Sequence, residues 1–297
     1  MHILVTGASG FIGAHLVRYW APQHKVGVLL RPGARTERLK EILPAPEHLV
    51  WDGSAQTLAP LVSSFRPDCV VHLAASYLGL RPLENIDAMI ESNIRLPAFL
   101  LDAMAKAECR HFIGTGTIFQ HCGNAAYSPH DFFAATKQSA SDILAYFMES
   151  GALSRAITLE LSDTYGPDDP RSKLIQLLRE TARKGEPLGM SLGEQYVDYV
   201  HVDDVVRAYD RALVLLRDMP EGQHRTFAVR SDKPLTVRAF VALFNETNPR
   251  PAFIDWGKRP YHGREFMTPW SQGETLPGWE TKINLRAGLK ELLGSTS

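Results

Sequence analysis

The chain is poor in cysteine, has no charge excess of either sign and contains no long apolar run. Its 297 residues include three cysteines, Cys69, Cys109 and Cys122, an odd number without framework spacing. That set excludes a disulfide-stapled scaffold and suits reduced thiols. Thirty-two basic side chains face thirty-three acidic ones, leaving a formal net charge of -1. Nucleic acid and anionic membranes are bound by surfaces with a basic bias, so neither is an expected partner. No apolar stretch reaches the roughly 20 residues of a membrane-spanning helix, and MHILVTG opens without a leader pattern. The expected location is the cytoplasm. His121 and Cys122 adjoin, but no second ligand pair stands at zinc spacing, so no metal is expected.

What is present points to an α/β protein. Hydrophobic residues make up 44% and charged residues 22%, the balance of a soluble globular chain. The apolar runs HILVT (2–6), KVGVLL (25–30), CVVHLAA (69–75), HFIGTG (111–116) and AITLEL (156–161) read as strands. Amphipathic stretches such as FIGAHLVRYW separate them. Strands apolar on both faces, alternating with helices, predict a Rossmann-type, doubly wound parallel sheet. After about residue 166, Pro and Gly punctuate the chain and helical patterns dominate between them. The predicted division is a dinucleotide-binding domain over 1–165, rejoined at about 196–230, and a smaller, mostly helical substrate domain over 166–195 and 231–297.

TGASGFIG sets Gly7, Gly10 and Gly13 between the first strand and the first helix. Glycines there allow a tight turn, and the helix N-terminus offers free amides to a pyrophosphate. The second strand ends in Arg31, with Arg35 nearby, where a carboxylate would bind the ribose hydroxyls of NAD. A guanidinium suits a 2′-phosphate instead, so NADP is the expected cofactor, with NAD the alternative. Asp52, followed by Gly53, could meet the adenine or simply serve a turn.

The glycine pattern, HLAA at 72–75, Asn93, Thr115 and Lys137, together with DTYGPDDPR (163–171) and GEQYVDYVHVDDVVRA (193–208), resembles the extended short-chain dehydrogenases/reductases. These include nucleotide-sugar epimerases, dehydratases and ketoreductases. The stretch from Phe119 to Leu144 is similar to a subgroup that handles deoxysugar nucleotides. The resemblance implies a cofactor site formed by Gly7, Ser9, Gly10, Phe11, Ile12, Gly13, Arg31, Asp52, Gly53, Leu73, Ala74, Ala75, Asn93 and Lys137. It implies that Thr115 orients the reacting sugar oxygen, and that Lys137 binds the nicotinamide ribose and lowers a tyrosine's pKa. Substrate contacts are expected from Tyr77, Thr115, Thr117, Tyr165, Arg171, Lys173, Gln195 and Arg259, with Arg264 and Tyr196 as further candidates. A homodimer formed through helices near 84–106 and 132–149 is also implied.

One feature departs from the family pattern. The tyrosine expected four residues before Lys137 is Phe133, in HDFFAATKQ. Without a hydroxyl, this side chain passes no proton, and general acid–base catalysis typically supplies about 10²–10⁴ in rate. Three readings stand. The residue is a shape-preserving replacement that disables the enzyme; or it is native and Tyr127, Tyr165 or His121 donates the proton; or the protein binds NADP or a sugar nucleotide without turnover. The expected activity is reduction of a keto group, commonly at C4, of a CDP- or dTDP-linked deoxysugar. An epimerase or dehydratase that retains its cofactor is the alternative.

Overall fold

A computed structural model of the chain describes residues 1–77, 86–171 and 173–294. The first part runs β1 (His2–Thr6), α1 (Phe11–Trp20), β2 (Lys25–Leu30), β3 (Glu47–Val50), α2 (Ala55–Phe65) and β4 (Cys69–His72). It continues through α3 (Ile86–Ile90), a π turn (Glu91–Arg95), α4 (Leu96–Lys106), β5 (His111–Thr117), α5 (Phe132–Glu149) and β6 (Arg155–Leu161). The second part comprises β7 (Asp163–Tyr165), α6 (Leu174–Lys184), β8 (Leu188–Met190), β9 (Tyr196–Val197), β10 (Tyr199–His201) and α7 (Val202–Asp218). It ends with β11 (Gln223–Val229), β12 (Leu235–Thr236), α8 (Val237–Thr247), β13 (Ile254–Trp256) and α9 (Leu285–Gly294).

Among the described residues, seven strands form one parallel sheet in the order β11-β6-β5-β4-β1-β2-β3. The chain winds outward from β1 to β3, then restarts at β4 and winds the other way. This reversal leaves a crevice at the carboxyl ends of β1 and β4, where ligands of such sheets bind. Both faces are covered. α1 and α7 bury Leu16, Trp20, Tyr209 and Phe227 on one side; α2, α4 and α5 bury Leu58, Phe65, Leu100 and Leu144 on the other. The ends of these helices are set locally: the Ser54 hydroxyl accepts from Gln56 N, and Asp131 Oδ1 accepts from Ala134 N at 2.8 Å.

A separate apolar cluster joins Tyr165, Leu178, Tyr199, Phe240, Phe244 and Leu289, gathering α6, α8 and α9. The returning chain is tied to α7 by Asp204, which is fully buried. Its carboxylate accepts from Lys282 N at 2.8 Å and Ile283 N at 2.9 Å and pairs with Arg207.

Three details differ from the sequence reading. The strand expected over 69–75 stops at His72, because Thr6 takes the next two amides: Leu73 N donates to its carbonyl and Ala74 N to its hydroxyl. β3 has one buried residue in four, too weak a period to recognise. The smaller region is less helical than expected. It carries the ribbons β8–β13 and β9–β12, and 257–284 holds no helix or named strand. Residues 84 and 85, where the first dimer helix was expected to begin, lie outside the described residues. Among the described residues no helix is long and apolar enough to cross a membrane.

Candidate active site

The glycine turn is shaped from both sides. Gly7 has a φ of 71°, and a Cβ there would stand 2.5 Å from Ala74 N. One on Gly13 would stand 2.2 Å from the Gly7 carbonyl oxygen. These two glycines let the turn lie against the segment Leu73–Ala75 and against α1. Gly10 differs. Its backbone is extended, it caps α1 without a side-chain hydrogen bond, and an added Cβ would meet only Gly7 O, at 3.1 Å. The amides of Phe11, Ile12 and Gly13 therefore open the helix with no intrahelical acceptor, beside the half-buried Ser9. This cradle fits the pyrophosphate of a dinucleotide.

Arg31 and Arg35 are exposed just beyond β2. Asp52 is occupied locally: it accepts from Ser54 N at 2.9 Å and Thr57 Oγ1 at 2.5 Å, which starts α2 and lowers its pKa. Gly53, at a φ of 92°, completes that turn.

Past β4, the side chains meet in one network. His72 is buried, and burial first, then the Lys137 charge, bring its imidazole to about 3. It is neutral, and its Nδ1 shares a hydrogen bond with the Thr6 hydroxyl at 2.8 Å. Lys137 is itself buried, and burial brings its ammonium down to about 8. Asn93, in the π turn, is 1% exposed and fully used. It accepts from Ser76 N at 2.8 Å and donates to Ser76 O at 3.0 Å and Thr136 Oγ1 at 2.9 Å. Thr136 in turn donates to the Phe133 carbonyl at 2.7 Å. The loop after β4 is thereby fixed to α5 at Phe133, and Tyr77 lays its ring edge-to-face on Phe133 with centroids 5.3 Å apart.

Thr115 sits at the expected end of β5, but its hydroxyl is engaged. It donates to His72 O at 2.7 Å, so the Tyr209 hydroxyl, 2.6 Å away, must be the donor to Thr115. The proton that would orient a substrate oxygen is thus spent within the protein. Thr117 is buried on the same strand and accepts from Phe119 N at 3.3 Å.

The structure redistributes the remaining substrate candidates. Tyr165 belongs to the apolar cluster of α6, α8 and α9, and burial drives its phenol pKa well up. Arg171 forks onto Asp169 with both contacts at 2.6 Å and covers the Phe11 ring. Lys173 pairs with Asp163 at 2.5 Å. Gln195 exchanges hydrogen bonds with Ser191, and Arg259 is exposed beside β8. Arg171 and Lys173 are therefore already paired within the protein. Arg264 donates to Ser128 Oγ at 2.7 Å on the rim of an open basin.

A crevice lined by Phe119, Asp163, Tyr196, Asp198, Arg230 and Trp270 lies beside the sheet's carboxyl edge. Arg230 was missed by sequence reasoning. It directly follows β11, and its buried Nε has no hydrogen-bond partner among the described residues. Its position just past a sheet strand was the available signal. Asp198 was also missed; burial raises its carboxyl to about 6. His121 is not free to act. It stacks on Trp270 at 4.0 Å, its Nδ1 faces the Ala126 carbonyl at 2.8 Å, and its Nε2 lies 3.1 Å from the buried Glu160. That last contact is an ion pair without hydrogen-bond alignment.

Comparison with known proteins gives the same frame. Residues 3–227 match the NAD dependent epimerase/dehydratase family. The CDP-abequose synthase of Yersinia pseudotuberculosis is 23% identical over 91% of this chain and 92% of its own. The dTDP-glucose 4,6-dehydratase 1 of Escherichia coli strain K12 is 27% identical over 98% of this chain and 91% of its own. The dTDP-glucose 4,6-dehydratase of Streptomyces venezuelae, solved with NAD and TYD bound, superimposes with a TM-score of 0.84 at 20% identity, covering 99% of this chain and 96% of that one.

Proposed function

Since the chain belongs to the NAD-dependent epimerase/dehydratase family of extended short-chain dehydrogenases/reductases, we propose that it reduces the keto group, at C4, of a CDP- or dTDP-linked deoxysugar with NADPH. The observation that carries this reading is the buried Lys137 ammonium, whose charge acts on His72 at the end of β4, the strand paired with the one that leads into the glycine turn. The cradle amides hold the pyrophosphate, Lys137 the nicotinamide ribose, and Arg31 the 2′-phosphate. A nicotinamide dinucleotide bound there supplies hydride. The near full-length match to CDP-abequose synthases and dTDP-glucose 4,6-dehydratases supports the substrate class.

We further propose that the protein is cytoplasmic and works as a homodimer through the helices near 84–106 and 132–149. The two lobes divide the work: residues 1–165 with 196–230 hold the dinucleotide, and the rest hold the sugar nucleotide. The dehydratase relatives favour a second reading, an epimerase or dehydratase that regenerates its cofactor. Calorimetry with NADPH, NADP, NADH and NAD, followed by turnover of CDP- and dTDP-4-keto sugars, tests both. Stoichiometric NADPH consumption supports reduction, whereas product formed without net consumption supports the second reading. Absence of uptake of any dinucleotide would reject the proposal altogether. Loss of NADP preference in Arg31→Ala would confirm that side chain's role.

A further inference from the structure

We propose that Tyr77 replaces the phenol missing at position 133, its hydroxyl delivering the proton to the substrate oxygen during reduction; this rests on the ketoreductase reading above. Among the candidate donors, Tyr165 is enclosed in an apolar cluster, and His121 is held between Glu160, the Ala126 carbonyl and Trp270. The Thr115 proton is already given to His72 O. Tyr77 packs on Phe133 itself, and it is positioned by a dedicated network.

Asn93 clamps both backbone polar groups of Ser76 and reaches Thr136, which bonds to the Phe133 carbonyl. The residue preceding Tyr77 is therefore tied by two side chains to the turn of α5 that carries Phe133. The Tyr77 ring then packs edge-to-face on Phe133, the planes inclined at 78°. A phenol consequently stands on the ring that marks the expected donor position. Tyr77 is 51% exposed, so it is open to a bound sugar and to water.

Its electrostatic setting suits a donor. Partial burial, then Asp131 at the start of α5 and Asp163 on β7, raise its pKa and keep the hydroxyl protonated. Asp163 is paired with Lys173, and Asp131 lies 3.4 Å from His130. Asp163, whose charge acts on this phenol, also lines the crevice with Arg230 and Asp198. In the reaction the Tyr77 O–H bond breaks and an O–H bond forms on the former carbonyl oxygen. The electron pair stays on the phenolate, and water returns the proton. The reductant is the reduced nicotinamide dinucleotide, whose hydride goes to the carbonyl carbon.

The test compares the parent, Tyr77→Phe, Phe133→Tyr and the double variant. Tyr77→Phe should lower kcat about 10²–10³-fold. Its calorimetric affinities for NADPH and for the unreactive probe CDP-glucose or dTDP-glucose should stay within about two-fold of the parent, since one hydroxyl is removed and the ring kept. Adding Phe133→Tyr to Tyr77→Phe should restore turnover. In ring-labelled protein, the Tyr77 resonance, assigned by its absence from Tyr77→Phe, should shift when the probe binds. Parent-like turnover by Tyr77→Phe overturns the inference. So does a parent that binds both ligands but is inert until Phe133→Tyr is made, or a Tyr77 resonance unmoved by bound probe. Failure of the parent to bind any dinucleotide instead removes the ketoreductase reading, and this inference with it.

Discussion

Replacing Lys137 by methionine separates the cost of a buried cation from its use. Lys137 is 4% exposed, and burial alone lowers its ammonium from 10.5 to about 8. At about 1.4 kcal/mol per pKa unit, that drop sets about 3 kcal/mol against the folded state wherever the native side chain is charged. The sign follows from proton counts. Between pH 8 and 10.5 the unfolded chain keeps the proton that the native protein has lost, so stability rises with pH across that window. Methionine fills a similar volume without charge. Lys137→Met should therefore be the more stable protein by up to about 3 kcal/mol below pH 8. The gap should close between 8 and 10.5 and vanish above it. Urea unfolding across that range measures the gap, and calorimetry should show weakened dinucleotide binding in the stabilised variant. A variant less stable than the parent at neutral pH, or a gap that ignores pH, would refute the reasoning.

Gly7→Ala should lose about 2–4 kcal/mol, from left-handed strain and collision with Ala74, in thermal melts. Gly10→Ala should stay within about 1 kcal/mol of the parent yet bind dinucleotide about 10–100-fold more weakly, because its methyl projects into the cradle; unchanged calorimetric affinity would dismiss the cradle. For His121, burial opposes the charge but the Glu160 contact outweighs it, so the pKa is raised. The stabilisation is complete below 6.5 and lost as pH climbs through the raised value. Glu160→Gln should flatten that part of the stability curve and cost about 1–3 kcal/mol in acid, read from urea unfolding at several pH values. Asp204→Ala leaves the amides of Lys282 and Ile283 without their acceptor and should cost about 3 kcal/mol or more. Limited proteolysis should then cut first in 270–284.

The sheet was readable because burial on both faces forces continuous apolar runs, and β1, β2, β5 and β6 lie within a residue of where those runs stand. The glycine turn was readable for a steric reason, since Gly7 and Gly13 occupy positions that a Cβ cannot. Charged residues were another matter. Arg171 and Lys173 carry the right charge, but whether a guanidinium is free depends on Asp169 or Asp163 folding back on it, and no spacing rule reveals that. Arg230 is as inconspicuous in sequence as any surface arginine; only the return of β11 to the sheet brings it to the crevice. Thr115 shows the same limit on a smaller scale, its proton committed to the carbonyl of His72, a residue 43 positions away.

The setting of Tyr77 also bears on the direction of reaction. A phenol whose ordinary value of about 10 has been raised holds less than about one part in a thousand as phenolate near pH 7. It gives a proton in nearly every molecule and accepts one in almost none. Ketone reduction needs the donor at rest, whereas oxidation of a sugar hydroxyl, the opening step for an enzyme that regenerates its cofactor, needs the base. NADPH-dependent reduction should therefore be flat across neutral pH, while the reverse oxidation should climb about ten-fold per pH unit until the phenol titrates. Phe133→Tyr would put a second phenol on the helix turn before the Lys137 cation, which lowers a neighbouring phenol's pKa and should lift oxidation at neutral pH. Steady-state rates in both directions across pH decide the point. An oxidative rate already level at pH 7 in the parent would mean that some group other than Tyr77 handles the proton.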